Sequence, residues 1–190
     1  MRSLESQLVL ATALCTAALS LTSCASYHSK DTSYTAQQAG VESPMHHSAD
    51  YASRIPQQLG TKGERVVLID PNVHAWGAYD RDGNLVKAGL ATAGGYYCPD
   101  IKRGCKTGAG SFRVQSLGES TCKSTRYPLP RGGAPMPYCM FFNKNQGLHG
   151  SQYVMEGNVS HGCVRLSVSD AEWLRFNFVN MGTKVIVRPY

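Results

Sequence analysis

The residues best suited to covalent chemistry lie close together in the C-terminal part of the chain. They are the dipeptide His149-Gly150 and the run Ser160-His161-Gly162-Cys163-Val164-Arg165. A cysteine attacks a carbonyl as the thiolate, so a cysteine enzyme needs a nearby base or cation that lowers the pKa of the thiol or takes its proton. His149 and His161 are both candidate bases. These residue types predict a nucleophilic thiol at Cys163 and a covalent acyl intermediate.

Two neighbours of Cys163 add to this prediction. A glycine directly before a nucleophile allows backbone N–H groups to face the substrate carbonyl, so Gly162 and Cys163 are candidate oxyanion donors. Arg165 follows two residues later, and in an extended segment its side chain points to the same side as the thiol. Its guanidinium is a candidate for holding a substrate carboxylate or for fixing the loop.

The number of cysteines supports a free thiol at Cys163. Of the seven cysteines, Cys15 lies within the N-terminal apolar run and Cys24 directly follows it, which leaves five. In an oxidising compartment an even set pairs and an odd one is left over. Four cysteines allow three pairings, of which we favour Cys98–Cys105 and Cys122–Cys139 because short loops are easy to close. The alternative is that Cys163 pairs and another thiol stays free.

A metal site is not expected from the sequence. No two cysteines form a Cys-x-x-Cys arrangement, so a structural zinc site is a weak competitor to disulfides. The adjacent His46 and His47 lie in a polar stretch without a nearby carboxylate or thiol. We therefore predict neither a metal nor an organic cofactor.

The N-terminal region predicts export. Leu8 to Leu21 is an apolar run that is too short to span a bilayer as a stable helix. It ends in Leu21-Thr22-Ser23-Cys24, which resembles a bacterial lipobox, although an ordinary cleaved signal is the alternative. Residues 1–23 would then be a lipoprotein signal peptide and Cys24 the lipidated N-terminus. Ala25 in place of aspartate resembles outer-membrane sorting, so we expect a periplasmic protein that is lipid-anchored to the outer membrane of a Gram-negative envelope.

The rest of the chain predicts a tether followed by a mainly β domain. Residues 24–60 are rich in Ser, Thr, Gln and Ala without a helical or strand period, which is typical of a flexible tether. Within residues 61–190 one helix is predicted, with Ser169 and Glu172 as a capping box and Gly182 ending it. Alternating and β-branched segments predict strands at 65–69, 73–79, 85–91, 111–115, 135–142 and 183–188. The helix is therefore short and on the C-terminal side.

The run from Ser160 to Arg165 resembles the active-site motif of the L,D-transpeptidase catalytic domain family, the YkuD type. More narrowly, the sequence resembles the enhanced-entry proteins of intracellular Gram-negative pathogens. The resemblance covers the chain from about Glu64 to its end and implies an L,D-transpeptidase-like β-sandwich. Four other segments carry it: His149-Gly150, Thr107-Gly108-Ala109-Gly110-Ser111-Phe112, Asp170-Ala171-Glu172-Trp173-Leu174 and Gly182-Thr183-Lys184-Val185.

Carried over by position, the resemblance implies that Cys163 is the nucleophile and His149 its base, oriented by the Gly150 carbonyl. It also implies that Ser160 and His161 shape the substrate pocket and that Gly162 with Cys163 offers oxyanion N–H groups. Two departures concern substrate binding. The segment between His149 and Cys163 is shorter than is usual in the family, and Val168 stands where the family often has asparagine.

The implied activity is that of a peptidoglycan L,D-transpeptidase. Cys163 would attack the L-centre carbonyl of diaminopimelate in a tetrapeptide stem, release D-alanine and leave a thioester. An amine on another stem would then give a 3-3 cross-link, and an amine on an envelope protein would attach that protein to the wall. The alternatives are an L,D-carboxypeptidase or amidase that uses water, and a peptidoglycan-binding lipoprotein without turnover. A papain-like peptidase is disfavoured because His149 precedes Cys163 closely.

The charge of the chain fits an acidic partner in the same compartment. The formal net charge is +6, and seven basic residues but one acid lie between Lys102 and Arg131. Nucleic acid is the habitual partner of such a stretch, but export makes it a poor expectation here. The carboxylates of peptidoglycan stem peptides are acidic partners in the periplasm, and a solvated basic loop is the alternative.

Overall fold

The computed structural model describes residues 48–190, in which nine strands form two sheets. The strands are β1 Val66–Asp70, β2 Ala75–Tyr79, β3 Leu85–Leu90, β4 Gly110–Arg113, β5 Ser116–Leu117, β6 Met140–Asn143, β7 Gln146–Gly150, β8 Val164–Leu166 and β9 Lys184–Val187. One sheet has the order β3-β2-β1-β9-β4 and the other β5-β6-β7-β8. Two helices, α1 Ser48–Ser53 and α2 Val168–Trp173, and a π-helical turn, Leu174–Phe178, complete this part of the chain.

The core lies between the two sheets. Both supply alternate apolar residues to a single buried cluster, for example Val67 and Ile69 from β1 and Val164 and Leu166 from β8. Each such side chain, when fully buried, stabilises the fold by about 1.5–3 kcal/mol. The arrangement confirms the predicted mainly β sandwich with a short helix on the C-terminal side.

The helix on the C-terminal side begins earlier than predicted. Ser167, not Ser169, is the N-cap of α2, and its hydroxyl accepts a hydrogen bond of 3.0 Å from the Asp170 N–H. The helix then widens into the π-helical turn, where the Val179 N–H donates to the Leu174 carbonyl at 2.7 Å. The chain leaves the helical conformation at Val179 rather than at Gly182. Both serines suit a cap by type, so the sequence alone did not separate them.

The predicted tether ends earlier than residue 60. Residues 48–53 form α1, and Tyr51 and Ile55 are buried against β2 and β3 in a second apolar cluster. Gly77 in β2 leaves room for Ile55, since a Cβ at that position would lie 2.4 Å from the Ile55 side chain. These residues therefore belong to the folded domain. The sequence concealed this because one buried side chain of a six-residue helix, Tyr51, and Ile55 just after it are enough to dock the segment.

Two disulfides close loops on the described part of the chain. Cys98 is bonded to Cys105 and Cys122 to Cys139, the pairing favoured from loop length, and Cys163 is the free thiol among the described residues. The signal peptide and Cys24 lie outside the described residues. No helix within residues 48–190 has the length and apolar character needed to cross a bilayer.

Removing the disulfides should destabilise the domain in the order of their loop lengths. The bridged cysteines are 17 residues apart for Cys122–Cys139 and 7 apart for Cys98–Cys105. Loop-closure entropy then predicts losses in the free energy of unfolding of about 3 and about 2 kcal/mol, respectively, when each pair is replaced by serine. Urea unfolding of the two double variants measures both losses. Equal losses, or the reverse order, would contradict an entropic origin.

Candidate active site

The site is built on the parallel pair of strands β7 and β8. Their register places Leu148 opposite Val164 and His149 opposite Arg165. Because Leu148 and Val164 point into the core, His149 and Arg165 share the other face of the sheet. Cys163, directly before β8, points to that same face, with its Cα about 8 Å diagonally from that of His149. The parallel register therefore brings together three side chains that the sequence singled out.

His149 is a buried base with a fixed tautomer. Its side chain is 6% exposed, and its Nδ1 lies 2.9 Å from the Gly150 carbonyl oxygen. A carbonyl only accepts, so Nδ1 carries the proton and Nε2 keeps a lone pair that can take a proton from a thiol. Burial lowers the pKa of His149 to about 4, the Gly150 hydrogen bond raises it in part, and the Arg165 charge lowers it further. The imidazole is therefore neutral at neutral pH.

Cys163 is a partly buried thiol in a protonated resting state. Burial raises its pKa above the ordinary value near 9, which outweighs the Gly147 N–H donated to the sulfur and the positive charge of Arg165. In this form the thiol contacts the Asn145 carbonyl, with 3.5 Å between sulfur and oxygen. A raised thiol pKa next to a lowered histidine pKa favours a neutral pair over a thiolate–imidazolium pair. Attack by this thiol requires transfer of its proton as the new bond forms.

Arg165 supplies an uncompensated positive charge on the face that carries the thiol. Its side chain is half-buried, and burial lowers its pKa. Among the described residues its guanidinium makes no hydrogen bond or ion pair, and Cys163 is an electrostatic neighbour. A half-buried cation without a partner favours binding of an anionic group. The sequence suggested that Arg165 either holds a substrate carboxylate or fixes the loop. No hydrogen bond or ion pair of its guanidinium among the described residues supports the second role.

The turn from Ser160 to Cys163 is held by its own side chain. Ser160 is 2% exposed. Its hydroxyl accepts a 3.1 Å hydrogen bond from the Gly162 N–H and donates to the Cys163 carbonyl. This corrects two expectations: Ser160 shapes the turn without lining a substrate pocket, and the Gly162 N–H is engaged and not free for an oxyanion. The Cys163 N–H donates to no partner among the described residues and is the candidate oxyanion donor that remains. Gly162 itself is required by its φ of 117°.

Two buried threonines hold the turn and the preceding segment in place. The Thr107 hydroxyl donates to the Gly162 carbonyl at 2.9 Å and accepts from the Gly94 N–H at 3.0 Å. The Thr92 hydroxyl donates to the Met155 carbonyl at 2.6 Å, in the segment that joins His149 to Cys163. The sequence pattern pointed to Thr107 only within a longer motif and did not indicate Thr92. Each lies in a stretch without strand alternation, so no local pattern indicated it.

The ring of His161 contacts side chains from two loops. Its Nε2 lies 2.8 and 2.9 Å from the two Asp100 carboxylate oxygens, and its ring centroid is 4.3 Å from that of Tyr127. The hydrogen bond to His161 holds the pKa of Asp100 below its usual value, so the carboxylate is ionised and accepts. Nε2 of His161 therefore carries a proton and is not the base. The substrate-binding role expected for His161 stays a prediction, and the contacts seen here are with Asp100 and Tyr127.

One group of metal-ligating types occurs among the described residues. Ligand atoms of Cys98, Asp100 and His161 lie within 4.8 Å of one another. Cys98 is bonded to Cys105, and a disulfide sulfur is not the thiolate that binds zinc. With the disulfide formed, Asp100 and His161 are two ligands, fewer than a zinc site needs.

The buried neutral His149 should make stability depend on pH. Its pKa in the folded state is about 4, below the ordinary value of 6.5. Between these two values the unfolded chain binds the proton and the folded chain does not, so stability is lost as pH falls through this range. The full effect is about 3 kcal/mol. Urea unfolding across this range should show a slope that His149→Gln removes, and an unchanged slope would contradict the buried neutral state.

Comparison with known protein families matches the part of the chain that carries this site. The model of the L,D-transpeptidase catalytic domain family, YkuD, matches residues 64–187. No curated protein sequence matches the chain.

Several solved structures share the fold. The L,D-transpeptidase of Xylanimonas cellulosilytica is 24% identical with a TM-score of 0.57, covering 73% of this chain and 67% of that one. For the enzyme of Mycobacterium smegmatis these values are 23%, 0.54, 66% and 59%. For L,D-transpeptidase 3 of Mycobacterium tuberculosis, in complex with a faropenem-derived adduct, they are 25%, 0.52, 66% and 60%. The chain therefore spans less than two thirds of the length of both mycobacterial structures.

Proposed function

Since this chain belongs to the YkuD family of L,D-transpeptidase catalytic domains, which act on peptidoglycan stem peptides, we propose that it transfers such a stem through a thioester on Cys163. The observation that carries the proposal is the β7–β8 register. It sets His149, Arg165 and the preceding Cys163 on one face of the sheet. A thiol, a neutral imidazole and a free cation are the groups that acyl transfer from an acidic peptide requires.

In the first half of the proposed reaction, the Cys163 sulfur attacks the L-centre carbonyl of diaminopimelate while His149 Nε2 takes the thiol proton. The Gly150 carbonyl stabilises the imidazolium that forms, because it accepts from Nδ1 at 2.9 Å. The Cys163 N–H stabilises the oxyanion. As the tetrahedral intermediate collapses, the bond to D-alanine breaks and the imidazolium returns its proton to the departing amine. The product is a thioester on Cys163.

In the second half, an acceptor amine attacks the thioester and His149 takes the proton that the amine loses. The sulfur leaves and is protonated again, which restores the resting thiol. A stem-peptide amine would give a 3-3 cross-link, and an amine on an envelope protein would attach that protein to the wall. Neutral His149 suits both halves, because with a pKa of about 4 it is unprotonated and ready to accept a proton.

Arg165 is the proposed anchor for a carboxylate of the stem peptide. Its guanidinium shares the face with Cys163, is half-buried and has no partner among the described residues. Stem peptides carry several carboxylates, and a guanidinium binds a carboxylate through two parallel hydrogen bonds. Binding there orients the peptide with respect to the sulfur. Arg165→Lys keeps the charge but loses this geometry.

We further propose that the protein is periplasmic and lipid-anchored at Cys24 to the outer membrane. The lipobox-like sequence Leu21-Thr22-Ser23-Cys24 supports this. Two disulfides in the folded domain also suit an oxidising compartment. Residues 24–47 would form the tether between the lipid and the domain. Metabolic labelling with a fatty acid should mark the native protein and not its Cys24→Ala variant.

The reaction itself is tested with a defined substrate. Residues 25–190 are incubated with disaccharide-tetrapeptide, and the products are followed by mass spectrometry beside Cys163→Ala. A cross-linked dimer or an amine adduct that depends on Cys163 supports transpeptidation. Free tripeptide as the main product would assign a hydrolase instead. No turnover, together with no carbapenem adduct on Cys163, would leave the peptidoglycan-binding lipoprotein.

A further inference from the structure

Two loops that are closed by disulfides meet on the ring of His161. Asp100 lies in the loop between Cys98 and Cys105, and Tyr127 lies in the loop between Cys122 and Cys139. We propose that Asp100 and Tyr127 are positioning residues that hold His161 and thereby set the orientation of the catalytic turn. We call the three side chains the His161 clasp. The inference rests on the proposed function, because it assigns a role in turnover by Cys163.

The clasp fixes the ring of His161 in both position and plane. The Asp100 carboxylate accepts from Nε2 through either oxygen, at 2.8 and 2.9 Å. The Tyr127 ring stacks on the imidazole, tilted by 33° with 4.3 Å between centroids. A hydrogen bond fixes the direction of the ring edge and a stacked neighbour fixes the plane. Together they remove the torsional freedom of the His161 side chain.

Both loops are themselves rigid enough to serve as supports. The Cys98 N–H donates to the Arg103 carbonyl at 2.9 Å, which closes the shorter loop in addition to its disulfide. In the longer loop the Tyr127 N–H donates to the Ser124 hydroxyl at 2.8 Å, and the Tyr127 carbonyl accepts from the Ala134 N–H at 2.9 Å. The disulfide of the shorter loop also packs on the clasp, since the Cys98 sulfur lies within 4.8 Å of the Asp100 and His161 ligand atoms.

His161 is two residues from the thiol, so its orientation is transmitted through Gly162. Two hydroxyl groups hold the backbone of Gly162. The Ser160 hydroxyl accepts from its N–H at 3.1 Å, and the Thr107 hydroxyl donates to its carbonyl at 2.9 Å. The backbone at the start of the turn is paired, since the Ser160 N–H donates to the Ala93 carbonyl at 3.0 Å and the Ser160 carbonyl accepts from the Gly95 N–H at 2.9 Å. The His161 side chain that follows is held by the clasp. Glycine at a φ of 117° does not itself restrict rotation of the turn. Without the clasp, the His161 side chain would lose its fixed orientation. The Cys163 N–H and sulfur, two residues further on, would then be less precisely positioned.

The clasp acts on geometry more than on stability. The Asp100 side chain is 47% exposed, and ion pairs at that exposure contribute little to stability. Losing Asp100 should therefore leave the fold intact. Displacement of catalytic groups by about 1 Å, in contrast, lowers rates by up to about a hundredfold. This difference separates a positioning role from a purely structural one.

The test compares Asp100→Ala and Asp100→Asn with a matched control, Glu64→Ala. Glu64 is also an exposed carboxylate in an ion pair, 3.0 Å from Arg113 at the far end of β4. Asp100→Ala is expected to lower kcat by about ten- to a hundredfold with KM nearly unchanged. Asp100→Asn keeps an acceptor for Nε2 and should stay within about threefold of the native kcat. The melting temperature of all three should stay close to the native value.

The Cys98–Cys105 disulfide provides a second test of the clasp. Replacing Cys98 and Cys105 by serine should lower kcat as Asp100→Ala does, and combining the changes should add little, because both release the same support. Alkylation of Cys163 by iodoacetamide should become about threefold faster in Asp100→Ala, as a loosened turn exposes the thiol.

The outcomes separate the clasp from the proposed function. If Asp100→Ala behaves like Glu64→Ala in both kcat and alkylation, or if Asp100→Asn is as impaired as Asp100→Ala, the clasp is overturned. If the native protein does not turn over the tetrapeptide, the proposed function fails. The alkylation rates then decide the clasp alone: faster reaction in Asp100→Ala than in Glu64→Ala supports it, and equal rates overturn it.

Discussion

Replacing Cys163 by alanine is expected to lower tetrapeptide turnover by about ten-thousandfold or more, because removal of a nucleophile abolishes the covalent route. Cys163 is the free thiol among the described residues. His149 and Arg165 lie opposite each other in β7 and β8, on the face of the sheet next to Cys163. The variant should also fail to gain the mass of a carbapenem, whereas the native protein gains it on the Cys163 peptide. Single-turnover assays with mass spectrometry measure both effects.

Cys163→Ser is the matched control for this prediction. It preserves the size of the side chain but offers an alcohol, whose proton is much harder to remove than that of a thiol. Turnover should therefore be nearly as low as in Cys163→Ala, with the unfolding free energy close to native. Substantial transpeptidation by Cys163→Ala would contradict the thioester and require a different nucleophile.

Replacing His149 by glutamine is expected to lower kcat by about a hundredfold to ten-thousandfold, the usual contribution of a general base. The effect should be large because burial raises the pKa of Cys163, so little thiolate forms without proton transfer to the imidazole. Glutamine fills a similar volume and can still bond the Gly150 carbonyl. The loss should therefore reflect the missing base and not a cavity.

The pH dependence of kcat/KM tests the prediction that neutral His149 is the general base. Activity requires neutral His149, whose pKa is about 4, so the native rate should stay level from neutral pH down toward that value and fall below it. The rate of His149→Gln should instead rise with pH as the thiol ionises. A native profile that drops near the ordinary histidine value of 6.5 would contradict the buried neutral imidazole. His161→Gln, by contrast, should leave the acid limb in place.

The candidate reacting groups were indicated by the sequence because their types and order are specific. Ser160 to Arg165, preceded by His149-Gly150, predicted the nucleophile, the base and the carbonyl that orients it, and the structure brings these residues to one edge of one sheet. The disulfide pairs followed from loop length. The strands predicted at 73–79 and 85–91 are those that pair as β2 and β3.

What the sequence did not reveal depends on contacts between distant segments. β7 carries two glycines and β8 is three residues long, so neither shows the β-branched alternation by which strands are recognised. Asp100 and Thr92 acquire their partners 61 and 63 positions away. Even the choice of Gly162 as an oxyanion donor failed for a reason of this kind, because the Ser160 hydroxyl folds back onto its N–H.

The position of α1 decides where the domain can be cut for recombinant work. The family match begins at residue 64, yet Ile55 fills the space over Gly77. Arg54 Nη1 also lies 2.9 Å from Glu156 Oε1, in the segment that joins His149 to Cys163. A fragment started at the matched boundary would expose the apolar surface of β2 and β3 and release that segment. Expression trials guided by sequence homology alone would thus yield an aggregating or inactive product, whereas a start upstream of residue 48 retains the whole folding unit.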